Sequence, residues 1–229
     1  MICRLFVFRH AESYDNSNQI FCGWRDPDLT PKGILQAGRI AEQLKQEEID
    51  YAFTSHLLRA RRTLEIVLKP HPNVPVFVDD RLIERCYGTL QGKSNVEIAA
   101  QRPEWFARVH RGYDSRPPRG ESLEMVERRT LSFVAELEGW LRRYPGNVAI
   151  SCHNNSMRAI RRFYEHLSLE QMLELENPHD RAMEYNIPIR QVKGREAEEL
   201  RHRADWDSVL VPPSIGLATD PRNPLRKHY

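Results

Sequence analysis

A chain of 229 residues with 40% apolar and 29% charged positions is long enough for one large core and has the composition of a folded globular protein. Its 34 basic and 32 acidic residues leave a net charge of +2, so no bulk field favours nucleic acid. Local anion binding by clustered arginines stays open.

The elements follow in chain order. Residues 2–9 read ICRLFVFR, a short apolar strand that runs into Arg9-His10 and then Glu12, Ser13 and Asn16. Thr30 caps a helix expected over 31–47, with Pro31 at its first position and Ile34, Leu35, Ala37, Ile40, Ala41 and Leu44 as its apolar stripe. Residues 51–54 read as a strand. Ser55 is the expected cap of the next helix, which runs to about Val67 with Leu58, Leu64 and Val67 inward. A strand at 74–78 contains Pro75, best tolerated at an edge. Short helices interrupted by Pro103 are expected over 93–111. The loop YDSRPPRGES leads to Ser122, which opens a long helix to about Arg143. The strand at 147–152 ends at His153, and helices at about 155–166 and after Ser168 precede a last strand at 182–189.

Strands alternating with helices predict a three-layer α/β/α sandwich with a mainly parallel sheet, a single domain over 1–189. Residues 190–229 change character to highly charged and then proline-rich sequence, and they are expected to form an extension that folds over the cleft as a lid. Cys3, Cys22, Cys86 and Cys152 are widely spaced, with no C-x-x-C and no zinc-ligand pattern. We therefore expect no metal and a reduced, cytoplasmic thiol set. The N-terminal apolar run is too short for a signal sequence or a membrane span, so no membrane partner is expected.

Two strands end at histidines, and a parallel sheet that sets them side by side would gather Arg9, His10, Arg59 and His153 at one rim. Guanidinium groups match phosphate geometry, and two permanent cations supply charge that a metal supplies elsewhere. A neutral imidazole can attack phosphorus and hold the group as phosphohistidine. Glu84, in RLIERCYGTLQG, is the candidate to protonate the leaving oxygen.

These segments resemble the histidine phosphatase superfamily and, within it, the cofactor-dependent phosphoglycerate mutases. RHAES at 9–13 is similar to RHGES, FCGW…DLTPKG at 21–33 to FTGW…DLSEKG, and TSHLLRARRT at 54–63 to TSxLxRAxxT. ERCYGTLQG at 84–92 resembles ERxYGxLQG, HRGYDSRPP at 110–118 resembles RRGFxxxPP, CHNNS at 152–156 resembles AHGNS, and LELENP at 173–178 resembles LELNIP. The resemblance implies that His10 is the phosphorylated nucleophile, that Arg9, Arg59 and His153 complete the phosphate pocket, and that Glu84 is the general acid and base. It implies Ser13 and Asn16 as phosphate contacts, and Cys22, Gly23, Tyr87, Arg111, Asn154 and Asn155 around the rest of the substrate.

Departures cluster on the substrate side. Ala11 stands where the family has glycine, and a left-handed backbone there would strain it. Cys22 replaces threonine, Asn154 replaces glycine, Asn95 aligns with a lysine for which Lys93 is a substitute, and His110 replaces an arginine. HDRAM at 179–183 replaces a TGVP-like loop, while His71, His110, His166 and His179 read as surface histidines. The expected activity is interconversion of 3- and 2-phosphoglycerate primed by 2,3-bisphosphoglycerate. Its alternatives are a phosphomonoesterase on a small phosphorylated metabolite and a catalytically silent phosphate-binding module. The family also implies a homodimer.

Overall fold

The computed structural model describes residues 1–189 and the short strand Leu210–Val211. Its first strand, β1 (Ile2–Arg9), alternates its side chains between the two faces of the sheet, and both faces are buried. Cys3, Leu5 and Val7 pack on one side, and Phe6 and Phe8 on the other. After the one-turn helix α1 (Tyr14–Ser17), helix α2 (Pro31–Leu44) is capped by Thr30, whose Oγ1 accepts the Gly33 amide. Strand β2 (Tyr51–Thr54), helix α3 (Leu58–Val67) and strand β3 (Val76–Val78) continue the alternation. The broken helical stretch is α4 (Asn95–Gln101) and α5 (Pro103–Arg111), with Pro103 opening the second helix. The long helix α6 (Leu123–Leu141), capped by Ser122, leads to β4 (Val148–Cys152), α7 (Asn154–Glu165), α8 (Leu169–Glu174) and β5 (Met183–Pro188).

The sheet order is β5-β1-β4-β2-β3-β6, with β6 being Leu210–Val211. The four central strands are parallel, while β5 and β6 run antiparallel at the two edges. Ile40, Leu44, Leu64 and Val67 from α2 and α3 cover one face. Phe133, Val134, Leu137 and Leu141 from α6, with Met157 and Ile160 from α7, cover the other. This is the three-layer arrangement expected of alternating strands and helices.

Four local expectations are corrected. Ile34 and Leu35 are solvent-exposed, so the buried stripe of α2 is Gly33, Ala37, Ile40 and Leu44, a narrower face than composition implied. Helix α2 also stops at Leu44. Ser55 does not cap α3; Leu57 holds that position, because the Ser55 hydroxyl faces a histidine of the opposite strand end. Pro75 sits just before β3, where its carbonyl accepts the Ala52 amide and its missing N–H costs no ladder bond. The expected lid at 190–229 lies outside the described residues, apart from β6 pairing with β3.

Register places the site. Leu5 is opposite Val148 and Arg9 is opposite Cys152, so the two strands end at the same level. The His10 amide then donates to the Cys152 carbonyl at 2.9 Å, which sets His10 beside His153.

Candidate active site

His10 and His153 are both buried, with ring centroids 5.0 Å apart. The His10 Nδ1–H donates to the carbonyl of Ala11 at 2.8 Å, which assigns the lone pair to Nε2. That nitrogen lies 3.1 Å from Arg59 Nε. Arg59 is fixed in turn by the carbonyls of Gly23 and Arg25, each accepting at 2.8 Å. Gly23 has φ of +53°, and a Cβ there would lie 2.3 Å from Gln91 Oε1, so any side chain at this position would be strained and would push Gln91 aside. Ala11 takes no such backbone conformation. Its amide donates to Thr63 Oγ1, and glycine is not required.

His153 Nε2 is 2.7 Å from Ser55 Oγ. Ser55 Oγ also accepts the Leu57 amide at 3.4 Å; with the Ser55 proton placed on its bond to Nε2, the His153 proton is assigned to Nδ1. Neither His153 Nδ1 nor Arg9 Nε has a hydrogen-bond partner among the described residues, although both are buried. Buried polar atoms without partners are costly, and a bound oxyanion satisfies both. The N-terminus of α7 begins at this point and adds its positive end.

Ser13 and Asn16 form a mutually bonded pair: Asn16 Oδ1 accepts the Ser13 amide at 3.1 Å and its hydroxyl at 2.9 Å, which leaves the Asn16 NH2 as a donor. Cys22 is buried, and burial pushes its thiol up to about 12. Glu84 is buried and pairs with neither neighbouring arginine. Arg81 bonds Asp79 and Glu136, while Arg85 spends its guanidinium on the carbonyls of Val109, His110, Ser115 and Glu121. Instead, Glu84 Oε1 accepts the Arg85 amide at 2.7 Å, Asn155 Nδ2 at 2.8 Å and the Asn155 amide at 3.4 Å. Asn155 Nδ2 also donates to Tyr87 Oη at 3.2 Å, and burial raises the Tyr87 phenol above its ordinary value.

The substrate-side residues divide. Asn155 and Tyr87 join Glu84. The Asn154 side chain and carbonyl are both taken by Asn177 Nδ2. Arg111 is half-exposed at the end of α5 and bonds the Leu173 carbonyl and Glu176. Lys93 lines a cavity of about 720 Å³ with Glu97, Arg102 and Trp105.

Other residues of the cluster carry no motif in the sequence. Arg158 is buried, and its Nη1 donates to Asn155 Oδ1 at 3.2 Å. The i, i+3 spacing from Asn155 on one helix face was the available signal. His179 is not a surface residue: its Nδ1–H donates to the His10 carbonyl at 2.7 Å. His110 stacks on Phe106 with centroids 4.8 Å apart. The segment 173–179 acts as a shelf under the cluster, since Arg9 Nη1 also bonds the Asn177 carbonyl at 3.2 Å.

Burial, and then the field of Arg59, holds both His10 and His153 well below the ordinary imidazole value of 6.5. Burial followed by Arg111 takes His110 to about 4, and burial followed by Arg9 takes His179 to about 4. All four are neutral in the folded chain near pH 7, whereas the unfolded chain protonates them through about pH 6.5. Their stabilising contribution is therefore complete above that pH. It falls as the pH drops, by up to about 1.4 kcal/mol per pH unit for each imidazole, and levels off near pH 4 for His110 and His179. Thermal melts are expected to show Tm falling steeply below about pH 6.5. A flat Tm down to about pH 4.5 would mean that the imidazoles take up protons in the folded state.

Among the described residues no group of His, Cys, Asp and Glu is arranged to hold a metal ion, and no helix is long and apolar enough to cross a membrane. A sequence model of the histidine phosphatase superfamily (branch 1) matches residues 5–203. The chain belongs to this superfamily. Histidine phosphatases transfer phosphoryl groups through a phosphohistidine, and this chain is an enzyme of that chemistry. It is 36% identical over 225 residues to 2,3-bisphosphoglycerate-dependent phosphoglycerate mutase 2 of Gloeobacter violaceus, an alignment covering 93% of this chain and 98% of that one. It is 39% identical over 178 residues to the 2,3-bisphosphoglycerate-dependent phosphoglycerate mutase of Nitrobacter hamburgensis, covering 75% and 86%. Other histidine phosphatases share the fold. YhfR of Bacillus stearothermophilus superposes with a TM-score of 0.68 at 28% identity over 76% of this chain and 86% of that one. The mycobacterial glucosyl-3-phosphoglycerate phosphatase gives 0.70 at 25% identity over 81% and 90%.

Proposed function

We propose that the chain interconverts 3- and 2-phosphoglycerate, with His10 Nε2 as the nucleophile. The observation that carries this reading is the pair of guanidinium groups, Arg111 and Arg158, which meet at Glu176, with Arg158 bonded to Asn155 of the Glu84–Asn155–Tyr87 chain. A cation pair there suits a carboxylate or second phosphate at the other end of a small phosphoester. The 36% identity across 98% of the Gloeobacter mutase supports the same substrate.

Ala11 O holds His10 in the attacking tautomer, and burial keeps it neutral. Arg9, Arg59 and Asn16 bind the phosphoryl oxygens, and His153 Nδ1 donates to them as charge develops in the transition state. Glu84 protonates the oxygen that leaves and later takes a proton from the oxygen that attacks, a transfer Asn155 keeps in place. Arg9 Nε and His153 Nδ1, without partners among the described residues, together with Arg158 on Asn155 and Arg111 sharing Glu176 with it, fit a ligand bearing two phosphates. When bound, 2,3-bisphosphoglycerate would supply the phosphoryl group that loads His10. A small phosphorylated metabolite is the partner in this reading, with no nucleic acid or membrane, and a homodimer is the working assembly. All four cysteines are unpaired and buried, which suits a reducing, cytoplasmic setting.

A phosphomonoesterase is the second reading. It is favoured by the superposition on the glucosyl-3-phosphoglycerate phosphatase and by the thinner distal charge, with His110 neutral and Asn95 in the place of a lysine. Supplying 3-phosphoglycerate with and without 2,3-bisphosphoglycerate separates the two. We expect 2-phosphoglycerate that requires the bisphosphate; free phosphate without isomerisation would sink the mutase.

A further inference from the structure

The two distal cations already hold a carboxylate. Arg111 Nη2 donates to Glu176 Oε1 at 2.8 Å, and the same oxygen lies 3.7 Å from Arg158 Nη2. Both guanidinium groups are anchored by the backbone of the same segment. Arg111 Nη1 bonds the Leu173 carbonyl at 3.0 Å, while Arg158 Nε and Nη2 bond the Leu175 carbonyl at 3.0 and 2.7 Å. The cations are thus fixed, and Arg158 is buried with its side chain 6% exposed. Glu176 is the opposite: its side chain is 66% exposed, and ion pairs are what hold its carboxylate. An exposed carboxylate in such a pair is weakly held, so an incoming anion can take its place.

We propose that Glu176 is a specificity-determining residue, an internal stand-in for the substrate's distal acidic group that this group must displace from Arg111 and Arg158. The inference rests on the phosphoglycerate reading above and sharpens it. In LELENP, Glu176 stands where the mutase pattern LELNIP has a neutral asparagine. Two fixed cations beside a neutral residue attract a distal anion with their full charge. Beside Glu176 they offer about one net charge, and the displaced carboxylate repels the newcomer from close range. The residue therefore lowers affinity for substrates acidic at both ends and leaves affinity for those with a neutral end unchanged. The field of Glu176 also reaches Arg9 and His110, so it acts on the cleft and not on the outer surface alone.

The test compares full-length wild type with Glu176→Gln by calorimetry, using 3-phosphoglycerate and glycerol 3-phosphate. These ligands share the phosphate and differ in one carboxylate. The variant is expected to bind 3-phosphoglycerate about two- to fivefold more tightly, the range of an exposed ion pair, and glycerol 3-phosphate as before. Added salt is expected to shrink the difference. An unchanged affinity ratio, with 3-phosphoglycerate still binding, overturns the role of Glu176 and leaves the mutase reading standing. A raised ratio in a protein that cannot isomerise 3-phosphoglycerate overturns that reading and keeps Glu176 as a selectivity device. Failure of both proteins to bind 3-phosphoglycerate overturns both.

Discussion

Replacing His10 by alanine is expected to abolish phosphoenzyme formation and to lower turnover by at least about four orders of magnitude. The loss is this large because no neighbour can take over the attack. His153 Nε2 is engaged by Ser55 Oγ, and its other nitrogen is assigned the proton. The Cys22 thiol, pushed up to about 12 by burial, holds almost no thiolate near neutral pH. Arg59 and Arg9 remain to bind phosphate, so substrate affinity should fall far less than turnover. Incubation with 2,3-bisphosphoglycerate carrying labelled phosphate, followed by acid and alkaline treatment, reads the outcome directly. An acid-labile, alkali-stable label is expected on the wild type and none on His10→Ala. Retained label in a folded variant would transfer the nucleophile to another residue.

That expectation was largely legible in the chain before any coordinates. An apolar strand stopping at Arg9-His10, and another stopping at His153, each carry their chemistry at the point where a buried segment must reach the sheet rim. What they could not carry was adjacency. Nothing in residues 2–9 or 147–152 states that β1 and β4 are neighbours in register, and that pairing alone turns two dipeptides into one cluster. Glu84 was legible through its motif, but its partner Asn155 comes from a helix 71 residues away. Residues that act through the backbone shelf were harder still. His179 and Arg158 look like ordinary polar residues of a loop and a helix, and only the folded shelf of 173–179 shows that they face inward. The misread stripe of α2 has the same origin. Ile34 and Leu35 are apolar at helical spacing, yet the docking angle of the helix is set by Gly33, where a Cβ would lie 2.1 Å from the Glu12 carbonyl oxygen. Period predicts that a face exists, whereas close contact decides which residues lie on it.

Glu84→Gln is expected to lower kcat/KM on an unactivated phosphoester, which reports the steps up to His10 phosphorylation, by about 10²- to 10⁴-fold, the usual yield of a positioned proton carrier. The substitution is chosen because the contacts that hold the side chain survive it. The glutamine carbonyl accepts from the Arg85 amide and from Asn155 as Oε1 does now, so Tyr87 and Asn155 keep their places. All three of those hydrogen bonds fall on Oε1, which leaves Oε2 to meet the leaving oxygen. A leaving group that needs no proton should then escape the penalty: on p-nitrophenyl phosphate the variant is expected to lose less than about tenfold in kcat/KM, which excludes the later step in which Glu84 takes a proton. The contrast between the two substrates separates proton transfer from every structural role for Glu84. Electrostatic repulsion of the phosphate, or support of the Asn155 side chain, would alter both substrates alike. Equal losses would therefore remove Glu84 from the proton path and leave it as a residue that positions Asn155.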